Sequence, residues 1–465
     1  MTNPSPKRQK VKAGPSSIKD DPVYTSAPQS TTPTTTTTKT TSLRTPFLDA
    51  FWKLASDDPS VRSDAAITLI EHCFPTSSSS PSTMGDDDDD DNDSSSNDAA
   101  ITKDREYALK RLMKGLCSGR GSARQGFASA LQSFITASLP TNTYTSSSLH
   151  TALISHTLST TQNSSSKGTE ERDALFGTLF GLLAIARSSI FTCSPNLDSA
   201  PIDLYVKTAL QLYGVKSWMR ESALNAVLTI LASSPAEVRS ALTGTTIQSF
   251  VTEKESANTL HAEVLALGVQ TKTLPVSSST LERYTPALVA TSSCYPRLHL
   301  VWPVLLRAIG PDGSLLRELY EGVVEKHMVR STHEKKSVPL LLVKYFFDEG
   351  LIGEECIPTV LSQPIVLLLL HASTSSSSLP HILQPLGLSS LSSITQFASL
   401  NRRLPRVLLS VAAALLAADA KFDGRVPAGS PRVVGGLLAG LTGKYRGEYL
   451  DLLEGGVLGT SEEIA

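Results

Sequence analysis

The sequence is poor in cysteine, in aromatic residues and in long apolar runs, and each shortage excludes a class of protein. Its apolar runs at 365–370 and 407–418 are too short to span the ~30 Å hydrocarbon core of a membrane. The basic start of the chain is followed by no apolar stretch, which predicts that there is no secretory signal. We therefore expect a soluble intracellular protein without a membrane partner.

The cysteines stand singly and form no CxxC pair, so no disulfide framework is predicted. An odd number of scattered cysteines is typical of reduced thiols in a reducing compartment. The five are Cys73, Cys117, Cys193, Cys294 and Cys356.

Charge is sparse and unevenly placed: only 18% of the residues are charged and the formal net charge is −2. Eight acids lie between Asp86 and Asp98, so the rest of the chain carries +6. A mild basic excess of this kind permits contact with nucleic acid but does not require it.

The sequence also lacks the motifs of common enzymes and metal sites. The nearest approach to a phosphate-binding loop is Gly443-Lys444, but Leu438 replaces its first glycine and Tyr445 its hydroxyl residue. There is no GxSxG, no HExxH and no Cys/His pairing at ligand spacing. We predict no enzymatic activity, no cofactor, no metal and no small-molecule substrate.

Composition divides the chain into a tail and a folded region. Residues 1–45, rich in Thr, Ser and Pro, are predicted to be a disordered basic tail because they cannot bury enough apolar surface to offset their ordering entropy. Residues 46–465 are predicted to form an α-helical repeat domain, interrupted by a disordered acidic insert at 75–102 and by linkers at 160–170 and 372–380. The tail contains a cluster that fits either a nuclear localisation signal or a solvated basic segment: Lys7, Arg8, Lys10 and Lys12.

Apolar residues in the folded region recur with the period of an α-helix. Phe127, Leu131 and Phe134 are on one face of a helix that follows the break at 118–121, and Leu112 is on the matching face of the helix before it. Similar helices recur along the chain without a convincing strand. The pattern predicts an all-α fold of stacked helix pairs, a HEAT/armadillo-like α-solenoid.

Basic residues collect on the hairpin 103–124, which is the candidate partner or nucleic-acid surface. A basic stripe of this kind binds phosphates with release of counterions. The alternative, which we favour, is a solvated face with charges that complement a helix C-terminus. The six residues are Lys103, Lys110, Arg111, Lys114, Arg120 and Arg124.

Several segments, in order and at similar spacing, resemble the family of Myb-binding protein 1A and DNA polymerase V (polymerase phi). They are FWKLAS (51–56), YALKRL (107–112), GLCSGR (115–120), SARQGF (122–127), ERDALFGTLFGL (171–182) and KSWMRES (216–222). The resemblance implies a helical-repeat scaffold in the nucleus and nucleolus that acts in rDNA transcription and ribosome biogenesis. It also implies protein partners from those processes, with rDNA as a further candidate partner. Members of that family are longer, with acidic tracts and a Lys-rich tail.

The family name requires a test of polymerase activity, which needs acidic residues holding two metal ions. The family has been compared with B-type polymerases, whose motif is Tyr-Gly-Asp followed by a second Asp. In this chain the only Tyr-Gly pair, Tyr213-Gly214, is followed by Val215 and Lys216, so no polymerase activity is predicted. Two other functions stay open: a nucleic-acid-binding module using the hairpin 103–124, and a karyopherin-like adaptor. The adaptor is disfavoured because it would bind through a regular ladder of Trp/Asn pairs on its inner helices, and the chain has only three tryptophans.

Polar residues beside two of the resembling segments are predicted to have a structural role. Asp173, Arg220 and Glu221 each stand near the start of a predicted helix. We expect them to form contacts between helices that fix the stacking of the repeats.

Overall fold

The computed structural model describes residues 41–75, 94–162, 168–193, 199–310, 312–351, 356–373 and 383–401. Throughout these residues the secondary structure is helical, and no strand occurs among them. Two segments, Thr243–Ile247 and Tyr320–Val329, are π-helical. The α-helices are α1 (Thr41–Lys53), α2 (Pro59–Cys73), α3 (Ser94–Gly115), α4 (Gly121–Ser138), α5 (Ser146–Gln162), α6 (Thr169–Arg187), α7 (Ile190–Cys193), α8 (Ser199–Val215), α9 (Arg220–Ala232), α10 (Ala236–Leu242), α11 (Gln248–Ser256), α12 (Ala262–Gln270), α13 (Ser278–Ala290), α14 (Val301–Ile309), α15 (Gly313–Leu319), α16 (His333–Glu349), α17 (Ile357–Val360), α18 (Gln363–Ser373) and α19 (Leu383–Asn401).

The helices from α2 to α14 stack in two rows. One row consists of α2, α4, α6, α9, α12 and α14, and each of these helices packs against the next. The second row, α3, α5 and α8, packs in the same sequential way and covers α4, α6 and α9 of the first. This arrangement confirms the predicted all-α solenoid, because each repeat buries its apolar face against its neighbours.

The predicted helical period places the expected side chains in the core. In α4, Phe127, Leu131 and Phe134 are all buried, and Leu112 of α3 is fully buried opposite them. Such an amphipathic face is what makes a helix stable in this context, since most helical stability in proteins comes from packing rather than from propensity.

The core is divided into two hydrophobic clusters that meet at α12. Val264 and Leu267 belong to the cluster that begins at Phe47, whereas Leu265 and Val269 belong to the cluster that extends to Ile394. A helix of nine residues that is buried on almost every side has no polar face. It therefore joins the two halves of the solenoid rather than capping either.

Glycine permits several close contacts between the packed helices, and Gly177 gives one example. A Cβ atom on Gly177 of α6 would lie 2.4 Å from the Cys117 sulfur, far inside van der Waals contact. The absence of a side chain at residue 177 thus sets the approach of α6 to the turn between α3 and α4.

Some predicted boundaries differ from those of the structure. Helix α3 begins at Ser94, inside the predicted insert 75–102, and α1 begins at Thr41, inside the predicted tail 1–45. The predicted linker 160–170 is shortened from both sides, by the last turn of α5 and the first residues of α6, and α18 ends inside the predicted linker 372–380. In each case the helix extends into residues that composition had assigned to a tail, insert or linker, because propagation adds a hydrogen bond for every residue fixed.

Several predictions concern residues outside the described ranges. The candidate localisation cluster, Lys7, Arg8, Lys10 and Lys12, is one of them, and the aspartate run at 86–91 is another. Among the helices that the structure does describe, none combines the length and apolar character needed to cross a membrane.

Candidate functional site

The first turns of α4, α6, α9, α12 and α14 lie along one edge of the solenoid, which we call the N-terminal edge. Ion pairs join neighbouring helices there. Arg120 and Asp57 are 3.2 Å apart, and Lys216 and Glu171 are also 3.2 Å apart, with both partners of each pair substantially exposed. Exposed pairs of this kind contribute little to stability, because water and salt screen them. These ion pairs therefore show which helices are neighbours at this edge but add little to the stability of the stack.

A less exposed pair joins α4 to α6. Arg124 donates a hydrogen bond to the Ser118 carbonyl oxygen at 2.6 Å and another to Asp173 at 3.4 Å. Its guanidinium also lies 4.6 Å from the centre of the Phe176 ring, which packs against Trp218 with 5.1 Å between ring centres. The predicted inter-helix contact of Asp173 is confirmed, and it lies within a stack that extends as far as the start of α9.

Glu221, in the first turn of α9, connects that helix to the segment before α14. Arg297 binds both of its carboxylate oxygens, one of them at 2.5 Å, and the Leu300 backbone N–H donates to it at 2.9 Å. Although burial alone would raise the pKa of Glu221, the hydrogen bonds and charge of Arg297, together with His299, hold that pKa below its ordinary value. The contact predicted for Glu221 is confirmed, and the carboxylate is held ionised.

His299 is buried between this carboxylate and a second one. Its Nε2 atom lies 3.5 Å from Glu263 and 4.0 Å from Glu221, while its Nδ1 atom accepts the Val301 backbone N–H at 3.1 Å. Since Nδ1 accepts, the proton that points at the carboxylates is the one on Nε2. Burial would raise the pKa of Glu263, but the hydrogen bond from His299 lowers it instead.

Arg220 is bound differently from its neighbour. Its guanidinium donates to His261 Nε2 at 3.0 Å, and His261 Nδ1 lies 2.5 Å from the Tyr213 hydroxyl. Because arginine only donates, Nε2 accepts and the neutral imidazole carries its proton on Nδ1. Burial, and then the charge of Arg220, lower the pKa of His261, which keeps the ring neutral. The contact predicted for Arg220 is confirmed as well.

These side chains line a groove of about 780 Å³ on the N-terminal edge, with Trp218 half-exposed beside it. Within the described residues, the side chains of Glu221, Cys294 and His299 are the one group of three whose potential metal-ligating atoms lie within 4.8 Å of one another. A metal on His299 Nε2 would displace the proton to Nδ1, where it would face the Val301 N–H. Arg297 already occupies the Glu221 carboxylate. The donors therefore fit a hydrogen-bonded network between helices better than a metal centre.

The six residues of the predicted basic surface do not form one surface. Lys103, Lys110 and Lys114 are exposed on α3, and Arg111 is half-buried there. Arg120 lies on the N-terminal edge with its side chain 60% exposed.

Arg124 is the exception among the six. Its side chain is only 12% exposed and is held by Asp173, so it does not offer its charge outward. The prediction grouped Arg124 with the lysines of α3 because only the short turn at 118–121 separates them in the sequence.

Two lysines of α3 share a surface with α5. Lys110 and Lys114 lie close enough to His156 to lower its pKa, although burial is the larger cause. This face, made by Lys110, Lys114 and Lys103, is the part of the predicted surface that the structure keeps together and exposed; we call it the α3 basic face.

The network contains four residues that were not predicted from the sequence: His261, Glu263, Arg297 and His299. They come from two segments far from Glu221 in the chain, and only the stacking of α9, α12 and α14 brings them together. The sequence held one signal that could have found these four residues. Each of them lies just before an apolar helix or in its first turn, where acidic side chains are favourable and capping residues are common.

Comparison with known proteins gives a family and two curated relatives. The family model described as DNA polymerase phi matches residues 107–463. The rDNA transcriptional regulator pol5 of Schizosaccharomyces pombe is 33% identical over 190 residues, which is 40% of this chain and 16% of that protein. The rDNA transcriptional regulator POL5 of Saccharomyces cerevisiae is 30% identical over 188 residues, 37% of this chain and 16% of that protein. No solved structure matches.

Proposed function

Because the chain belongs to the DNA polymerase phi family, we propose that it is a nucleolar helical-repeat scaffold in the regulation of rDNA transcription and in ribosome biogenesis. The observation that carries this proposal is that two curated relatives are both named as rDNA transcriptional regulators. The matched stretch is only 16% of either relative, so the activity of the whole relative is carried over as part of the proposal.

The proposed mode of action is protein binding without catalysis. A solenoid of stacked helices offers long continuous surfaces, which is how such folds recognise partners. Polymerase chemistry needs carboxylates that hold two metal ions about 3.5–4 Å apart. The one candidate metal grouping in the described part of the chain has a single carboxylate, which is already bound by Arg297. The names of the relatives, which describe regulators, agree with this proposal.

A second candidate function is contact with a nucleic-acid backbone. It is favoured by the α3 basic face, where Lys110 and Lys114 are exposed and form no ion pair with a described residue. Each phosphate contact would release counterions, so binding would weaken steeply with salt. The cluster Lys7, Arg8, Lys10 and Lys12 is proposed to direct nuclear import.

The experiment is complementation in cells depleted of the endogenous protein, with a tagged full chain. Pulse labelling of pre-rRNA measures rDNA transcription, imaging measures location, and recovery of partners is compared with and without nuclease. Restored labelling, nucleolar signal and nuclease-resistant ribosome-biogenesis partners are expected. A tagged protein that stays outside the nucleus, or a depletion that leaves pre-rRNA synthesis unchanged, would refute the proposal.

A pair of variants separates the two candidate functions. Lys110→Glu with Lys114→Glu reverses the α3 basic face, and Lys326→Glu with Arg330→Glu changes net charge equally at exposed residues elsewhere. If the scaffold binds proteins alone, both double variants restore pre-rRNA labelling. If only the first pair fails, and its nucleic-acid binding has lost its salt dependence, backbone contact through the α3 basic face is the function.

A further inference from the structure

A second groove lies beside the last turns of α9 and α12 and runs along α14, from Leu300 just before its start to Arg307 in its last turn. Its volume is about 720 Å³, and it is bordered by α10 and by the π-helical segment Thr243–Ile247. Volumes of this size are typical of sites that bind ligands or peptide side chains. We call it the C-terminal groove, and it lies where the two hydrophobic clusters of the core meet.

The floor of the C-terminal groove is apolar. Leu228 of α9 and Leu300, which precedes α14, line it and are only half-buried, and Leu231 and Val304 lie beside them. A half-buried leucine loses further apolar surface when a partner covers it, which is worth roughly 25 cal/mol for each Å² removed from water. The floor is therefore suited to the apolar side chains of a partner.

The rim of the groove carries charge of one sign. Arg239, Lys272 and Arg307 line it, all three are exposed, and no acidic residue lines it with them. The acid closest in sequence to Arg239, Glu237, lines a neighbouring surface instead.

Two of these cations are available to a partner. Neither Arg239 nor Lys272 forms an ion pair with a described residue, and Arg239 donates only to the Ser234 carbonyl oxygen at 3.1 Å. Arg307 lies 3.3 Å from Glu349, but both side chains are about half-exposed, so this pair is weak and easily exchanged.

We propose that the C-terminal groove binds an acidic amphipathic helix of a partner protein, with its apolar residues on the floor and its carboxylates on Arg239 and Lys272. Apolar residues at i, i+3, i+4 and i+7 are how such helices fill a groove. A cationic rim around an apolar floor complements that pattern in both respects. The inference rests on the proposed scaffold function and specifies the chemistry of one partner.

A nucleic acid fits this groove less well. Single strands bind by stacking bases on aromatic side chains, and no aromatic residue lines the groove. Leu228 and Leu300 would remain uncovered beneath a phosphate backbone. The charge of the rim alone therefore favours any polyanion, whereas floor and rim together favour an acidic peptide.

The three cations also lie near helix C-terminal ends, where positive charge stabilises the helix dipole. That role predicts a change of stability on substitution but no peptide binding. The two roles are separable, because binding to a peptide can be measured at a temperature where every variant remains folded.

The test is fluorescence anisotropy of a labelled synthetic peptide, about 15 residues or four helical turns long. The peptide has Leu at i, i+3, i+4 and i+7 and Glu or Asp on its other face, and it is titrated with the purified full chain. Two further peptides serve as probes: one with Gln and Asn in place of the acids, and one with the leucines in scrambled order. A labelled DNA oligonucleotide of mixed sequence is the competing polyanion.

The matched variants are Arg239→Glu with Lys272→Glu, and the control pair Lys326→Glu with Arg330→Glu, which changes net charge equally. We expect the acidic peptide to bind about ten-fold more weakly to the first pair and unchanged to the control, since each exposed charge contact is modest. The neutral and scrambled peptides should also bind at least about ten-fold more weakly.

Three results would overturn the inference. They are equal binding of the acidic peptide to wild type and to the Arg239/Lys272 variant, equal binding of the scrambled peptide, and tighter binding of the oligonucleotide than of the peptide at the same groove. None of these results affects pre-rRNA labelling in cells, so the scaffold proposal and the proposal of peptide binding in the C-terminal groove can be refuted separately.

Discussion

Removal of the Glu221 side chain is expected to destabilise the junction between α9 and α14. In the Glu221→Ala variant the Leu300 backbone N–H loses its acceptor, which lies 2.9 Å away in the wild type. A partly buried donor left without an acceptor costs about 1 kcal/mol, the lower end of the range for a buried one, and loss of the charge-assisted bonds from Arg297 adds to it. We therefore expect the free energy of unfolding to fall by about 2–4 kcal/mol.

The partner substitution should be much milder, and this asymmetry is the sharper test. The Arg297 side chain is 60% exposed, whereas that of Glu221 is 15% exposed. Arg297→Ala leaves the Leu300 N–H bonded to Glu221, so the loss should stay near the ~1 kcal/mol of an exposed ion pair. Glu221→Gln, which keeps an acceptor but no charge, should lie between the two.

The charge of Glu221 also predicts a pH dependence. Its pKa is below the ordinary value of 4.5 in the folded chain, so its ionised form stabilises the protein above about pH 4.5 and this contribution is lost as the pH falls through the lowered pKa. The stability difference between wild type and Glu221→Gln should therefore shrink in that acidic window.

The assay is denaturant unfolding of the full chain followed by circular dichroism, with hydrogen exchange at the Leu300 amide as the local measurement. The local probe is needed because repeat arrays can unfold in segments. Glu221→Ala should lower protection of that amide and Arg297→Ala should not. Equal losses of stability in both variants, or an unchanged amide in Glu221→Ala, would refute the reasoning.

Two further outcomes are expected. Gly177→Ala should lower the free energy of unfolding by about 1–3 kcal/mol, because the new Cβ would lie 2.4 Å from the Cys117 sulfur. The control is Gly121→Ala, which has nothing within 4 Å of its Cβ and should be neutral or slightly stabilising. Comparable denaturation midpoints for the two variants would contradict this expectation. His261 should titrate below 6.5 by NMR, since burial and Arg220 lower its pKa, and stability should decline as the pH falls below 6.5 because the unfolded chain takes up the proton first. A midpoint at or above 6.5 would exclude the Arg220 contact.

Much of the fold could be predicted from the sequence because helical periodicity is a local property. The faces of α3 and α4, the break between them and the helical character of the described residues follow from residues within a few turns of each other. Helix ends were predicted less well, as at Ser94 and Gln162, since the residues there are mostly Ser, Thr, Asn and Gln and leave little trace in the apolar pattern.

The candidate sites were only partly predictable. Asp173, Arg220 and Glu221 could be expected to join helices because acids and caps gather at helix starts. Their partners could not, since Arg297 and His261 reach them only when α9, α12 and α14 stack. The basic hairpin shows the opposite case, in which neighbours in sequence were separated by the fold: Arg124 turns inward, whereas Lys110 and Lys114 face outward.

The sequence by itself determined that the chain forms amphipathic helices too apolar to stand alone, and that they must stack to bury their apolar faces. Tertiary structure alone decided which polar ends meet. Helices α4, α6, α9, α12 and α14 run in the same direction, so their first turns share one edge and their last turns the other. Acidic side chains and arginines consequently pair on the N-terminal edge. Arg239, Lys272 and Arg307 lie near the other ends of their helices and line a groove with an apolar floor. Charges separated along the chain become neighbours because helix stacking, rather than sequence distance, sets their spacing.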